Sequence, residues 1–221
     1  MHSSPRPIVR ASVLGCAGAL AIIGTISTAQ TPAEGEPRRW EVIDGELSVY
    51  VAPSKDAELI NVFPAGAILT NLGCTEDGGQ IWCQVRPFRG GARGFAEGGS
   101  LRPAKGPDGA IPTGADSSKQ RARKRDFDAV GQIACAQDKG QAMGRCDAAV
   151  ARGVGGDATV VVTFPTGFAR RLFFVHGEFV RASATMSGVG TDIDWRLENA
   201  VHHLRVDDQR YELPDTLVFG D

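Results

Sequence analysis

Two pairs of closely spaced cysteines set the strongest limit on how this chain folds. Cys74 stands close to Cys83, and Cys135 stands close to Cys146. Four cysteines allow three pairings, but only the pairing of near neighbours keeps each disulfide inside one candidate folding unit. Closing loops of this length contributes about 2 to 3 kcal/mol each by the chain-entropy estimate. The spacing therefore predicts two small units, one closed by Cys74–Cys83 and the other by Cys135–Cys146.

Zinc binding and thiol chemistry are the alternative uses of these cysteines. Structural zinc sites usually place paired cysteine ligands roughly two to four residues apart, and neither pair has that spacing. Once both disulfides form, no free cysteine remains after the first thirty residues. We therefore expect disulfides, with no metal site and no catalytic cysteine.

The first 29 residues have the composition of an export signal. Arg6 and Arg10 precede an uncharged, largely apolar run over residues 11–28, and small residues lead up to Ala29. The run is short for a membrane-spanning helix, which needs about 20 apolar residues. We predict cleavage after Ala29 and a periplasmic or secreted protein. A lipid-modified Cys16 and an uncleaved N-terminal anchor are the alternatives, and both also place the remaining chain outside the cytoplasm.

The charge of the remaining chain argues against a general binder of polyanions. Of the 24 basic side chains, two lie in the predicted signal, whereas all 26 acidic side chains lie after it. Proteins that bind nucleic acid or anionic membranes over a broad surface are basic. We therefore expect no nucleic-acid partner, and membrane contact only through an uncleaved or lipidated N-terminus.

Short apolar runs alternate with turns over residues 40–104. Leu47, Val49 and Val51 keep a period of two, and Gly78-Gly79 precedes the apolar run 81–85. The chain has 28 glycines and 12 prolines but only 7% aromatic residues, which favours small β domains with many turns. Four or five strands in a segment of this length predict a small barrel.

Three motifs of this segment stand in a characteristic order: a Pro-Ala-Gly turn at 64–66, Trp82 followed by Val85, and Gly94-Phe95. In this order they resemble the bacterial SH3 domain (SH3b, SH3 type 3), and the resemblance covers residues 44–104. It implies a targeting or adaptor module, often one that holds an exported protein on peptidoglycan. Tyr50 stands where the family usually has arginine, and Phe95 replaces a common tryptophan.

The candidate ligand-binding residues are aromatic and arginine side chains of this segment. Exposed aromatic rings beside arginines are typical of surfaces that bind a sugar or a peptide. The set consists of Tyr50, Trp82, Arg86, Phe88, Arg93 and Phe95, with Arg89 beside them. The alternative interpretation is that Trp82 and Phe95 belong to the barrel core.

Residues 105–126 differ in composition and have no periodic apolar pattern, which predicts a flexible linker. The linker ends in a basic cluster of Lys119, Arg121, Arg123, Lys124 and Arg125. Such a cluster either contacts phosphate groups of lipopolysaccharide, phospholipid or nucleic acid, or is simply solvated.

Residues 127–221 predict a second, small antiparallel β domain, so that the fold class of the chain is all-β. Its strands pair in three hairpins, 146–152 with 159–164, 170–175 with 179–184, and 203–206 with 210–213. We expect a meander of six or seven strands and one helical turn at 197–201. This segment resembles uncharacterised exported proteins of alphaproteobacteria, a resemblance that implies no activity.

Few side chains of this sequence are candidates for catalysis or metal binding. His202 and His203 are adjacent, so on a strand they face opposite sides of the sheet and cannot chelate one metal together. Asp192, Asp194 and Glu198 are the better candidates for a calcium site, although they lack the spacing of an EF-hand loop.

These observations predict an exported, non-catalytic binding or adaptor protein without a cofactor. Its SH3-like module recognises a cell-wall glycan such as peptidoglycan, a peptide, or an envelope protein. An envelope hydrolase or peptidoglycan-remodelling enzyme is one alternative, since catalytic groups need only converge in space. A structural or assembly factor whose C-terminal sheet docks a partner is the other.

Overall fold

The computed structural model describes residues 34–185 and 192–220. Within these residues the chain forms two antiparallel β-sheets, which confirms the predicted all-β class. The predicted signal peptide and Cys16 lie outside the described residues.

The first sheet contains seven strands in the order β3-β2-β6-β5-β4-β1-β7. They are β1 Arg39–Val42, β2 Glu46–Tyr50, β3 Leu59–Pro64, β4 Ile68–Asp77, β5 Gln80–Pro87, β6 Gly94–Glu97 and β7 Leu101–Pro103, with a short 3-10 helix at Gly98–Ser100. Leu47 and Val49 on β2 alternate with less buried residues and reach the core, as their spacing of two requires. Cys83 and Val85 meet them from β5, forming the core of a small SH3-like barrel.

The second sheet contains eight described strands in the order β12-β11-β10-β9-β8-β15-β14-β13. They are β8 Ala129–Ala136, β9 Gly144–Arg152, β10 Ala158–Thr163, β11 Ala169–Val175, β12 Glu178–Ala182, β13 Ile193–Glu198, β14 Val201–Val206 and β15 Gln209–Pro214. Two short helices accompany the described strands, α1 Ser118–Arg123 and α2 Asp215–Phe219. The three predicted hairpins are present, namely β9 with β10, β11 with β12, and β14 with β15.

This sheet differs from the predicted simple meander in two places. Strands β13, β14 and β15 do not continue the sheet beyond β12. Instead β15 pairs with β8, so these three strands lie on the opposite side of the sheet from β12. The predicted helical turn at 197–201 is wrong. Asn199 and Ala200 have φ values of 51° and 58° and join β13 to β14 as a two-residue turn. Positive φ at both central residues is what such hairpin turns require.

Both disulfides join the predicted partners. Cys74 on β4 is bonded to Cys83 on β5 with sulfurs 2.01 Å apart, and Cys135 on β8 is bonded to Cys146 on β9 with sulfurs 1.96 Å apart. Cys135 and Cys146 lie inside the core of the second sheet, whereas Cys74 is exposed. Each disulfide therefore cross-links neighbouring strands within one sheet.

The segment predicted to be a flexible linker connects the two sheets but is packed against them. The Asp108 carboxylate accepts a hydrogen bond of 2.8 Å from the Gly155 amide, and the Thr113 backbone bridges to Pro37. A Cβ atom at Gly155 would lie 2.7 Å from the Pro112 ring, so this contact requires glycine. The segment is ordered because its backbone finds partners in distant loops, which its local composition does not reveal.

Asp157 joins the two sheets through a buried ion-pair cluster. Its carboxylate is 1% exposed and binds the guanidinium groups of Arg38 and Arg39, which lie at the start of the first sheet. It also accepts a hydrogen bond of 3.1 Å from the backbone amide of His176. Burial lowers the pKa of Arg39, and the charge of Asp157 opposes that shift. Buried charges of this kind depend on their partners.

His202 is a second buried polar group. Its surroundings lead us to expect that the protein loses stability in weak acid. Trp195 donates to its Nδ1 at 3.1 Å, so the neutral ring carries its proton on Nε2, which lies 2.9 Å from Asp215 Oδ1. Burial lowers the pKa of His202 below the ordinary 6.5, although Asp215 opposes the shift. Below that pH the unfolded chain binds a proton that the folded protein does not, so stability falls as the pH falls.

We therefore expect a lower midpoint of thermal unfolding at pH 5.5 than at pH 7.5. His202→Gln reduces this difference, whereas His203→Gln, a change on the more exposed side of the same strand, leaves it intact. Circular dichroism melts of the three proteins measure the effect. A pH dependence that survives His202→Gln unchanged contradicts the assignment.

Candidate functional site

Tyr50 and Phe95 lie side by side on the outer face of the first sheet. Tyr50 on β2 pairs with Phe95 on β6, and Phe95 pairs in turn with Gln84 on β5. Directly paired residues of antiparallel strands project from the same face. Both rings are half-buried. We call the surface formed by Tyr50 and Phe95, together with Trp82 beneath it, the aromatic face.

Trp82 lies beneath this surface. Its indole is 5% exposed and meets the Tyr50 ring edge-on, with ring centroids 6.1 Å apart. The adjacent residue Cys83 and the next alternate residue Val85 point into the barrel core, so Trp82 points away from it. Trp82 is therefore buried, as the barrel-core interpretation expects, but it lies on the face of β5 opposite to the core.

Gly94 allows strands β2 and β6, which carry Tyr50 and Phe95, to approach each other. A Cβ atom at Gly94 would lie 2.6 Å from the Tyr50 carbonyl oxygen and 2.6 Å from Val49 Cγ1. Only a residue without a side chain permits that separation of β2 and β6. The Gly94-Phe95 dipeptide thus sets Phe95 beside Tyr50.

Charged side chains surround the aromatic face. Arg86 is exposed and, by alternation along β5, shares the face of Trp82 and Gln84. Arg93 is exposed immediately before β6. Lys55, from the loop that follows β2, pairs with Glu97 at 2.9 Å. The described part of the chain shows no ion pair for Arg86 or Arg93, which leaves both guanidinium groups able to bind an anionic ligand.

Phe88 and Arg89 are placed elsewhere, at the contact between the two sheets. The Phe88 ring lies 6.2 Å from the ring of His176, between centroids. Arg89 pairs with Glu178 and stands 5.5 Å from the centre of the Trp195 ring. The structure therefore brings Tyr50, Trp82 and Phe95 together and separates Phe88 from them.

Leu59 is a surface residue that the sequence interpretation missed. It pairs with Tyr50 across β2 and β3, next to a β-bulge, and is 50% exposed. The bulge shifts the register at this point, so the alternation of apolar residues gives no local signal of it. Leu59 extends the apolar surface of the aromatic face by one strand.

The histidines and the acidic residues considered for metal binding lie as follows. His202 is buried and His203 is half-exposed, on opposite sides of β14 as the alternation predicts. Asp192 pairs with Arg205, which lowers the pKa of Asp192. Over residues 34–185 and 192–220, no group of three or more His, Cys, Asp or Glu side chains is placed to hold a metal ion.

The comparisons with known proteins concern the same segment. Neither of the two helices among the described residues is long and apolar enough to cross a membrane. No curated protein and no solved structure matches the chain. Residues 45–102, a stretch that carries the whole aromatic face from β2 into β7, match the family model of the bacterial SH3 domain, which confirms the family resemblance of this segment.

Proposed function

We propose that this protein is an exported, non-catalytic binding or adaptor protein whose aromatic face binds peptidoglycan. The match of residues 45–102 to the bacterial SH3 domain is the observation that carries the proposal, because it suggests a cell-wall binding module. Fold alone does not assign a function, so the proposal also needs a suitable site. The position of the aromatic rings provides one.

The aromatic face has two kinds of group that suit a cell-wall fragment. Tyr50 and Phe95 offer flat ring surfaces on which the C–H face of a sugar packs, and the Tyr50 hydroxyl adds a polar group at the edge. Arg86 and Arg93 are exposed, and guanidinium groups bind carboxylates through charge-assisted hydrogen bonds. Peptidoglycan contains both sugar rings and carboxylates.

Two further observations support export. The first 29 residues have the charged head and apolar middle of a signal peptide. Both cysteine pairs are disulfides, which persist in oxidising compartments and are rare in the cytosol. The two together support the proposed location outside the cytoplasm.

The proposal predicts that single aromatic substitutions abolish most of the binding. We expect the purified exported protein to sediment with isolated peptidoglycan, and Tyr50→Ala or Phe95→Ala to weaken that binding about tenfold, equivalent to about 1.4 kcal/mol. Leu197→Ala is the matched control, because Leu197 is an exposed apolar residue on β13 of the other sheet. Quantifying bound and free protein over a range of peptidoglycan concentrations gives the affinities.

Each other outcome contradicts a part of the proposal. Binding that survives both aromatic substitutions places the ligand elsewhere on the molecule. Release of soluble muropeptides makes the protein an envelope hydrolase rather than a binding protein. Failure to sediment rejects peptidoglycan as the ligand and leaves an envelope protein as the partner to identify.

A further inference from the structure

A cleft of about 840 Å³ lies on the outer face of the second sheet, beside helix α1. Its floor crosses four strands in one straight row, because Val130 pairs with Ala149, Ala149 with Val161, and Val161 with Arg171. Residues of such a row share one face of the sheet. The alternate residues Val150 and Val160 face the core. The cleft is therefore open to solvent and separate from the core.

Arginines from three segments reach this cleft. Arg123 comes from the last turn of α1, Arg125 from the residues after it, and Arg171 from β11. Arg125 has a φ of 60°, a left-handed conformation that is unusual outside glycine, at the point where the chain leaves the helix. We call this site the arginine cleft.

A smaller recess of about 240 Å³ continues the arginine cleft. It shares Arg123 and Arg171 and adds Lys119, Phe173 and Arg181. The Arg181 guanidinium stands 4.2 Å from the centre of the Phe173 ring, an arrangement that holds the charge in place without neutralising it.

The charges in the arginine cleft are not balanced by the protein. Asp147 is the one acidic residue among those lining the cleft. Among the described residues, no ion pair involves Arg123, Arg125, Arg171 or Arg181. Like charges held together in a concave site raise the local concentration of anions.

Two other members of the basic cluster differ in this respect. Arg121 binds Asp126 and Asp128 at 2.8 Å, and Lys119 pairs with Asp116 at 3.4 Å. The pairing of Arg121 fixes the end of α1 next to the sheet. The basic cluster of the sequence thus contains Arg121, which holds the helix, and Arg123 and Arg125, which face the cleft.

The floor of the cleft is apolar as well as open. Val130 is 75% exposed, the largest exposed fraction among the large hydrophobic residues described. Phe127 and Val161 line the same space, and Ala149 and Ala169 keep its floor low. A ligand that has only charge would leave this apolar surface in water.

We propose that the arginine cleft binds a phosphorylated amphiphile, with the phosphate at Arg123, Arg125 and Arg171 and the apolar part on Val130 and Val161. Guanidinium groups bind phosphate through paired hydrogen bonds, and desolvating apolar surface adds affinity for the attached chain. The chain as a whole has a formal net charge of −2, so this positive cleft is a local feature. The site is independent of the aromatic face.

Titration of the purified protein with three probes tests the proposal. Dodecyl phosphate below its micelle-forming concentration has both parts of the ligand, dodecyl maltoside has the same chain with a neutral head, and inorganic phosphate has no chain. We expect dodecyl phosphate to bind at least about ten times more tightly than either of the others by calorimetry. Equal binding of dodecyl maltoside or of inorganic phosphate overturns the proposal.

Substitutions place the site. Arg171→Gln and Arg123→Gln each weaken dodecyl phosphate binding about tenfold, whereas Arg196→Gln, an exposed arginine of β13, leaves it unchanged. Val130→Gln weakens dodecyl phosphate binding but not inorganic phosphate binding, a split that mere unfolding does not produce. Unchanged affinity in the Arg171 and Arg123 variants overturns the assignment.

A last comparison separates two sources of the ligand. Sedimentation with phosphatidylglycerol vesicles that is lost in Arg171→Gln supports a lipid headgroup at a membrane. Binding of monomeric dodecyl phosphate without vesicle binding supports a soluble phosphorylated ligand. Tyr50→Ala retains dodecyl phosphate binding in both cases, since it alters the other sheet.

Discussion

Asp157→Asn lowers the free energy of unfolding by about 3 to 5 kcal/mol, the largest loss expected from a single polar substitution in this protein. The variant keeps the size of the side chain but removes its charge. Arg39, which is almost fully buried, then lacks the anion that offsets its desolvation. Arg38 loses the same partner but keeps its hydrogen bonds of 3.0 Å to the carbonyl oxygens of Gly114 and Thr113.

Urea denaturation followed by circular dichroism measures this loss. Asp208→Asn is the matched control, because Asp208 also stands just before a strand but is exposed, and its substitution changes stability by less than about 0.5 kcal/mol. We also expect the unmodified protein to unfold in one transition and Asp157→Asn to unfold in two, since the cluster joins the two sheets. Equal stability of the Asp157 and Asp208 variants contradicts this account.

Replacing Cys135 and Cys146 together by alanine lowers the free energy of unfolding by about 2 to 5 kcal/mol. The disulfide limits the freedom of the unfolded chain between β8 and β9, and its sulfur atoms also fill the core of the second sheet. Replacing Cys74 and Cys83 by alanine opens a loop whose cysteines are 9 positions apart in the sequence, against 11 for the other pair, so the chain-entropy loss is slightly smaller. Cys74 is also exposed, so its sulfur contributes less to a core. The loss is therefore smaller for that pair.

Thermal unfolding of the two double variants, with and without a reducing agent, checks this expectation. The reducing agent lowers the midpoint of the unmodified protein more than that of the Cys135/Cys146 variant, which keeps only the Cys74–Cys83 disulfide. If the protein purified from its native host has free thiols at these positions, or if all four disulfide cysteines can be replaced without loss of stability, the disulfides do not stabilise the fold.

Local patterns in the sequence predict local structure in this protein. The hairpin between β11 and β12 follows from two strand-forming runs around His176 and Gly177, which have φ values of 56° and 80°. The disulfide partners follow from spacing alone. The pairing of β15 with β8 joins residues that are far apart in the chain, so no short motif indicates it.

In the candidate site, too, short sequence motifs predict some residues, whereas contacts between distant parts of the chain determine the others. Gly94-Phe95 and Trp82 are recognisable motifs, and the structure places them together with Tyr50. Phe88 is a phenylalanine like Phe95 and is close to it in the sequence, but its ring contacts His176 of the second sheet instead of the aromatic face. The arginine cleft combines α1 with Arg171, and only the fold brings those two together.

The packed segment between the sheets has a consequence for the two binding activities proposed above. Arg38, Gly155 and Pro37 hold residues 105–126 in place, which restricts changes in the spacing between the aromatic face and the arginine cleft. Rigid spacing raises the effective concentration of a second ligand once the first is bound, provided that the two ligands stand at the matching distance. Two individually weak attachments then give a long residence time on an envelope that displays both, and rapid release from one that displays either alone.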